Sequence, residues 1–275
     1  MRTDFLTPGP TRVMGIVNVT PDSFSDGGDF FDPQAAIAHG RQLLAEGASI
    51  LDVGGESTRP GATRPGTGEE LRRVVEVIGT LAAEGAVVSV DTMRAEVARE
   101  AVRHGAAIVN DVSGGLTDPA MLSTVAELGV PYVLTHWRGS DGIMLADPHY
   151  DDVVDEVVDE LQAGIARAEA AGIARDRLIL DPGFGFAKTA EHNWELIGSI
   201  DSIQQLGLPV LLGVSRKAFL GALLADENGP RPPVGRDAAT TAFSVTAGIL
   251  GLWAVRTHAV RANVDVIAVA DRMRA

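Results

Sequence analysis

The chain has no cysteine among its 275 residues. That excludes disulfides, thiolate metal sites and a cysteine nucleophile. It has no run of eighteen uncharged apolar residues, so no membrane span is expected. Met1 to Arg12 carry no apolar signal core, so no secretory signal is expected either. It also lacks an excess of positive charge: the net charge is −14, which argues against general binding to nucleic acid or to an anionic membrane surface. These absences together point to a cytosolic protein. An anionic ligand would need a local basic pocket set against an acidic background.

What the chain does have is a hydrophobic fraction of 45%, enough for a sizeable core, and a length at which one α/β barrel domain is usual. Short runs rich in Val, Ile and Leu predict strands at Val13–Val19, Ile50–Val53, Val87–Val90, Ile108–Val112, Tyr132–Thr135, Leu178–Leu180, Val210–Val214 and Trp253–Arg256. They lack the alternation of a half-exposed sheet, as strands covered on both faces do. Between them, helices are predicted at Pro33–Glu46, Gly68–Glu84, Arg94–His104, Asp118–Glu127, Asp151–Ala171, Ala190–Gln205, Ala238–Gly251 and Arg261–Met273. In Asp151–Ala171 a stripe of Val153, Val157, Leu161, Ile165 and Ala168 follows an acidic first turn and stops at Gly172, which suits both periodicity and helix dipole.

Strands and helices in eightfold alternation are the pattern of a (β/α)8 barrel. A doubly wound sheet is the alternative, but no Gly-x-Gly-x-x-Gly fingerprint follows the first strand. No linker interrupts the alternation, so residues 1–275 are read as one domain. Arg59–Gly68, Gly139–Tyr150 and Asp226–Asp237 read as loops beyond the carboxyl ends of strands, the functional face of a barrel.

Every predicted strand delivers a polar group at that end: Asn18, then Asp52 with Glu56, Asp91-Thr92, Asn110-Asp111, His136, Asp181, Ser215-Arg216-Lys217 and Arg256-Thr257-His258. Helix capping explains some such positions. Eight of eight describe a polar pocket at the top of a barrel. Its charges are sorted. Asp91, Asn110 and Asp181 offer acceptors for a flat ligand with an amidine-like edge. Arg59, Arg216, Lys217, Arg256 and His258 offer cationic partners for a phosphate or pyrophosphate. Cations are unfavourable at a helix N-terminus, so Arg216 and Lys217 there argue for a ligand. His136 carries no such argument and reads as a satisfied core histidine. A heterocycle carrying a phosphoryl group is the ligand these residues describe.

The chain resembles the dihydropteroate synthases of folate biosynthesis, of the actinobacterial type. The resemblance rests on six motifs in order: Asn18-Val-Thr-Pro-Asp-Ser-Phe-Ser-Asp-Gly-Gly28, Asp52-Val-Gly-Gly-Glu-Ser-Thr-Arg-Pro-Gly61, Ser89-Val-Asp-Thr92, Asn110-Asp-Val-Ser-Gly-Gly115, Asp181-Pro-Gly-Phe-Gly-Phe-Ala-Lys188 and Ser215-Arg-Lys217. It implies condensation of 6-hydroxymethyl-7,8-dihydropterin pyrophosphate with p-aminobenzoate, by a largely dissociative substitution assisted by Mg²⁺. It also implies sulfonamides as inhibitors and a homodimer formed through barrel helices, to which Ala238–Gly251 and Arg261–Met273 are apolar enough to contribute. Carried over by position, Asp91, Asn110 and Asp181 hold the pterin edge and Lys217 its carbonyl and ring nitrogen. Asn18, Arg256 and His258 line the pyrophosphate site, Asn18 also as metal ligand, and an amide with phosphate oxygens suits Mg²⁺. Thr58, Arg59, Pro60, Phe186 and Ser215 form the p-aminobenzoate site. Lys217, Arg59 and Asp91 carry the catalytic roles.

Two positions depart from the family pattern. Ala259 stands where an aspartate is common, which removes a possible partner for His258. Thr135 stands where a methionine that packs on the pterin is usual, so a slightly looser pocket is expected there. Two rival functions share the barrel. A corrinoid-linked pterin methyltransferase does not need Thr58-Arg59-Pro60, Ser215-Arg216-Lys217 or Arg256-x-His258, yet all are present. A non-catalytic paralogue is expected to break the second motif, which is intact.

Overall fold

A computed structural model describes residues 4–20, 32–56, 64–140, 143–144 and 148–274. Eight parallel strands form the barrel wall: β1 (Arg12–Asn18), β2 (Ile50–Gly54), β3 (Val88–Asp91), β4 (Ile108–Asp111), β5 (Tyr132–Thr135), β6 (Leu178–Asp181), β7 (Leu211–Leu212) and β8 (Ala254–Thr257). They lie side by side in the order β6-β5-β4-β3-β2-β1-β8-β7. A parallel bridge between Leu180 and Val210, with Leu180 N–H donating to the Pro209 carbonyl at 2.8 Å, joins β6 to β7 and closes the ring.

Helices α1 (Pro33–Ala45), α2 (Thr67–Ala83), α3 (Ala95–Arg103), α4 (Met121–Leu128), α5 (Val153–Ala170), α6 (Ala190–Gly198), α7 (Ile200–Gln204), α8 (Ala218–Leu223), α9 (Asp237–Leu250) and α10 (Val260–Arg274) run between and after the strands. The predicted stripe of α5 is its buried face, and Asp152 caps it by accepting from the amides of Val154 and Asp155. The single helix expected over Ala190–Gln205 is two, because Ser199 leaves helical geometry (φ −119°, ψ 28°). The predicted loop from Gly139 contains a two-residue antiparallel ribbon, Gly139–Ser140 with Ile143–Met144. Among the described residues no helix is long and apolar enough to cross a membrane.

The inside of the barrel changes character along its axis. Met14, Ile50, Ile108, Val133, Ile179, Leu211 and Ala254 form one buried apolar cluster, plugged from below by Phe5 and Trp253. The Trp253 indole N–H donates to the Phe5 carbonyl at 2.8 Å, which ties the N-terminal turn Asp4–Leu6 into the plug. Side chains on a strand repeat every second residue. The next inward position is therefore polar on five of these strands, at Asp52, Asn110, Thr135, Asp181 and Arg256, and is Ile16 on β1 and Gly213 just past β7. An apolar floor, each large side chain of which contributes about 1.5–3 kcal/mol when buried, carries a polar tier directly above it. Both faces of every strand are covered, so hydropathy does not alternate along them even though direction does.

Candidate active site

The polar tier is organised around Arg256. Its Nε donates to Asp52 Oδ2 and its Nη2 to Asp91 Oδ2, both at 2.6 Å. Asn110 Nδ2 donates to the same Asp52 oxygen at 3.0 Å. Three strands, β2, β3 and β8, are thus tied by one guanidinium, and β4 is drawn in by an amide. Asp52 is fully buried, and its Oδ1 has no hydrogen-bond partner among the described residues. Burial raises the Asp91 carboxyl to about 7; Arg256 opposes that rise, and Asp52 and Glu70 add to it. Burial also works against the Arg256 charge, but Asp52 and Asp91 more than offset it and hold the guanidinium firmly protonated. Helix α3 has Arg94 at its cap and no side-chain cap bond, so Asp91 is not a helix cap.

Across the barrel, Asp181 accepts from the Gly183 amide at 2.8 Å through one oxygen. A methyl group on Gly213 would come within 3.2 Å of its other oxygen, so the chain just past β7 is bare where Asp181 needs room. Burial raises the Asp181 carboxyl, opposed by the Gly183 amide and by Lys217. Lys217 Nζ lies 3.7 Å from the centroid of the Phe186 ring, an attraction between the cation and the ring's negative face. Burial lowers the Lys217 ammonium to about 8, with Asp181 opposing. The Phe186 ring meets Trp137 on another side, centroids 5.7 Å apart.

Ser215 and His258 meet at the ends of the neighbouring β7 and β8 segments. Ser215 Oγ lies 2.9 Å from His258 Nδ1 and accepts from the His258 amide at 3.2 Å. The imidazole is therefore oriented by Ser215, with no need of residue 259. Thr257 Oγ1 accepts from the Ala259 amide at 3.2 Å and from Asn263 Nδ2 at 3.0 Å, which secures the start of α10 where the usual aspartate is missing. Thr135, the second departure, has a buried Oγ1 without a hydrogen-bond partner among the described residues. It borders a cavity of about 100 Å³ between β5 and α5. Asn18 ends β1, half-buried at the barrel mouth.

Several polar strand-end residues turn away from the pocket. Asp111 builds the following loop: it accepts from the Ser113 amide and hydroxyl, the Gly115 amide and the Tyr132 hydroxyl. Thr92 donates to Glu70 of α2 at 2.6 Å. Glu70 and Glu56 are both bonded to the Arg94 guanidinium, whose other nitrogen donates to the Pro65 carbonyl at 2.9 Å. Arg64 Nε reaches Glu56 at 3.0 Å. The two stems of the segment 57–63 are joined by this cluster.

Of the sequence-predicted residues, Asp91, Asn110, Asp181, Phe186, Lys217 and Arg256 are brought together around the barrel mouth, with Ser215 and His258 as a second pair. Thr58, Arg59 and Pro60, with Pro21–Phe24 of the first motif, lie outside the described residues. Two cations grouped with the anion-facing set are engaged by acids instead. Arg256 is held between Asp52 and Asp91, and Arg216 is bidentate on Asp237 at 2.7 and 2.8 Å. Sequence reasoning gave Asp52 no role beyond its strand end; the signal for it was there, since it falls two residues after Ile50 on the inward face. It also gave none to Lys188.

The chain matches the family model described as pterin binding enzyme over residues 14–258. It is 53% identical over 266 residues to the dihydropteroate synthase of Mycobacterium leprae, covering 94% of this chain and 92% of that protein. The dihydropteroate synthase of Xanthomonas albilineans has been solved with 4-aminobenzoic acid (TM-score 0.89, 47% identity, 97% of this chain and 94% of that one). It has also been solved with 7,8-dihydropteroate (TM-score 0.86, 44% identity, 98% and 95%). The Yersinia pestis enzyme, solved in a sulfonamide drug complex, superposes with a TM-score of 0.89 at 40% identity over 96% of this chain and 94% of its own.

Proposed function

This chain belongs to the dihydropteroate synthases, a family of pterin-binding enzymes, and from that premise we propose that it joins 6-hydroxymethyl-7,8-dihydropterin pyrophosphate to p-aminobenzoate. The C–O bond to pyrophosphate breaks, a C–N bond to the aniline nitrogen forms, one N–H proton is released, and 7,8-dihydropteroate results. The observation that carries the reading is the convergence of Asp91, Asn110, Asp181 and Lys217 above an apolar barrel floor. Carboxylates and an amide match the donor-rich edge of a pterin, and a buried cation matches its carbonyl. The Xanthomonas albilineans relatives bound to 4-aminobenzoic acid and to 7,8-dihydropteroate support the same substrate and product for this chain.

The substitution is largely dissociative: the pyrophosphate leaves first and the electron-rich pterin carries the positive charge. Asp91 and Asp181 face that cation, and their carboxylate forms would stabilise it, so the site acts mainly by position and electrostatics. Arg256 keeps Asp91 aimed at the pocket. Asn18 and His258 line the pyrophosphate side, and Thr58, Arg59, Pro60, Phe186 and Ser215 the amine side. Among the described residues no group of three His, Asp or Glu side chains could hold a metal by itself. An amide oxygen at Asn18 fits a hard cation that arrives largely on the phosphate oxygens. Mg²⁺ bound there would neutralise the departing pyrophosphate. Sulfonamides, as in the Yersinia pestis relative, would compete at the amine side. A cytosolic homodimer completes the reading.

The test is direct. Purified protein is mixed with the pterin pyrophosphate and p-aminobenzoate, with Mg²⁺ and with a chelator, and dihydropteroate is measured. Product formed with Mg²⁺ and suppressed by the chelator is expected. Pterin binding without product would leave a non-catalytic pterin-binding protein.

A further inference from the structure

Lys188 closes the fifth motif, and no role in the reaction has been given to it. Its ammonium is buried and makes three contacts: His136 Nδ1 at 2.8 Å, the Gly183 carbonyl at 3.1 Å and the Phe186 carbonyl at 3.3 Å. The turn it grips is an unusual one. Gly183 (φ 70°), Gly185 (φ 71°) and Ala187 (φ 44°) all take left-handed backbone conformations, and at Ala187 a side chain makes that costly. A turn of this kind persists only where its surroundings hold it. Here the surroundings are Lys188, the Tyr150 hydroxyl donating to the Ala187 carbonyl at 3.0 Å, and Asn193 Oδ1 accepting from the Gly185 amide at 2.7 Å.

The grip is itself braced. His136 Nε2 lies 2.9 Å from Glu160 Oε2, so with Nδ1 accepting from Lys188 the ring's one proton sits on Nε2. Burial and the Lys188 charge hold this imidazole neutral, its pKa lowered to about 4. Glu160 is bonded to Arg138, which stacks over the Tyr150 ring at 3.8 Å. A continuous chain runs from α5 through Glu160, His136 and Lys188 to the turn.

We propose that Lys188 is a positioning residue: with His136 as its brace, it fixes the Gly183–Ala187 turn and thereby sets the Phe186 ring against Lys217. This rests on the proposed reading only in taking Phe186 to border the p-aminobenzoate site. Lys188 itself touches neither that site nor Lys217 among its hydrogen bonds; it acts through the backbone carbonyls of Gly183 and of Phe186 itself.

The experiment is a double-variant cycle on the full chain. Phe186→Ala tests whether the ring serves the amine at all. Lys188→Met, of similar length without charge, is expected to raise the KM for p-aminobenzoate roughly tenfold to a hundredfold, with pterin pyrophosphate affinity changed less than about threefold. The double variant is expected to lose no more than Phe186→Ala alone, because both act through one ring. If Phe186→Ala raises that KM and Lys188→Met leaves it alone, or if the two effects multiply, the proposal is overturned while the reading of the site stands. If Phe186→Ala has no effect, the reading of the amine side has failed, and a structure of Lys188→Met decides the proposal separately: an unmoved Phe186 ring overturns it. Should Lys188→Met not fold, His136→Leu removes only the brace, and the same KM rise at smaller size is expected, no rise counting against it.

Discussion

Lys217 Nζ caps one face of the Phe186 ring at 3.7 Å, and it does so from a position that also faces Asp181. One cation therefore serves an aromatic wall and a carboxylate of the pocket together. Burial already disfavours its charge, so the folded protein does not depend on it for stability. Lys217→Ala is expected to weaken pterin binding by about 1.5–3 kcal/mol, the worth of a charge-assisted hydrogen bond, with little change in melting temperature. Calorimetric titration with the pterin, beside a thermal melt, checks both halves. Unchanged affinity would remove Lys217 from the pterin site.

Asp91 gives a pH prediction with a definite sign. Its folded carboxyl is raised to about 7, above the ordinary 3.8. The folded state thus keeps a proton that the unfolded state has released, so this group's contribution is complete below about pH 4 and is lost as pH rises toward 7. Asp91→Asn cannot titrate, and Arg256 keeps its bond to Asp52. The melting temperature of the variant relative to the parent is expected to be more favourable at about pH 8 than at about pH 5. A difference that stays flat across that range would falsify the raised carboxyl. Pterin affinity is expected to fall at both values.

Gly183 separates strain from collision. At φ 70° any L-residue is strained, and a methyl group would also stand 2.2 Å from the His136 carbonyl oxygen. Gly85 has a comparable left-handed φ of 93° but nothing within 4 Å of an added methyl. Gly85→Ala is expected to cost about 1 kcal/mol, and Gly183→Ala clearly more, since the β5–β6 backbone must shift. Denaturant melts of the two variants make the comparison. Equal losses would mean the turn relaxes freely, contrary to its many tethers.

Much of this was legible in the sequence. The eight strands and the polar groups at their ends follow from β-branched runs that stop at charged residues, and the inward period of two carries Ile50 to Asp52 and Ile179 to Asp181. The direction of adjacent polar residues was not legible. Asn110 and Asp111 are both polar, yet one faces the pocket and the other builds a loop, because neighbouring strand residues point oppositely. Nor was the partner of a cation. Arg216 is answered by Asp237, twenty-one residues later, and Arg256 by Asp52 from the other end of the chain. Charge sign is a property of the sequence, but which acid quenches which base depends on barrel closure. The brace on Lys188 escaped for the same reason, since His136 and Glu160 come from a different βα unit.

The outer face of α9 and α10 carries the last prediction. Gly248 lies where these helices cross, with Ala270 so near that an added methyl would stand 2.6 Å from it. Next to that crossing, Ile249 is 43% exposed and Val269 60%, and Met273 farther along α10 is 69% exposed. In the proposed homodimer these exposed apolar side chains are expected to lie at the interface, with a second copy of the chain meeting them under two-fold symmetry, each patch against itself. Ile249→Glu with Val269→Glu is expected to convert a two-chain particle to a single chain in light scattering, because paired buried glutamates would repel across the axis. Both side chains are exposed in the isolated chain, so its fold, read by circular dichroism, is expected to persist. A variant that remains a pair would move the interface elsewhere, and a parent protein that scatters as one chain would rule the dimer out.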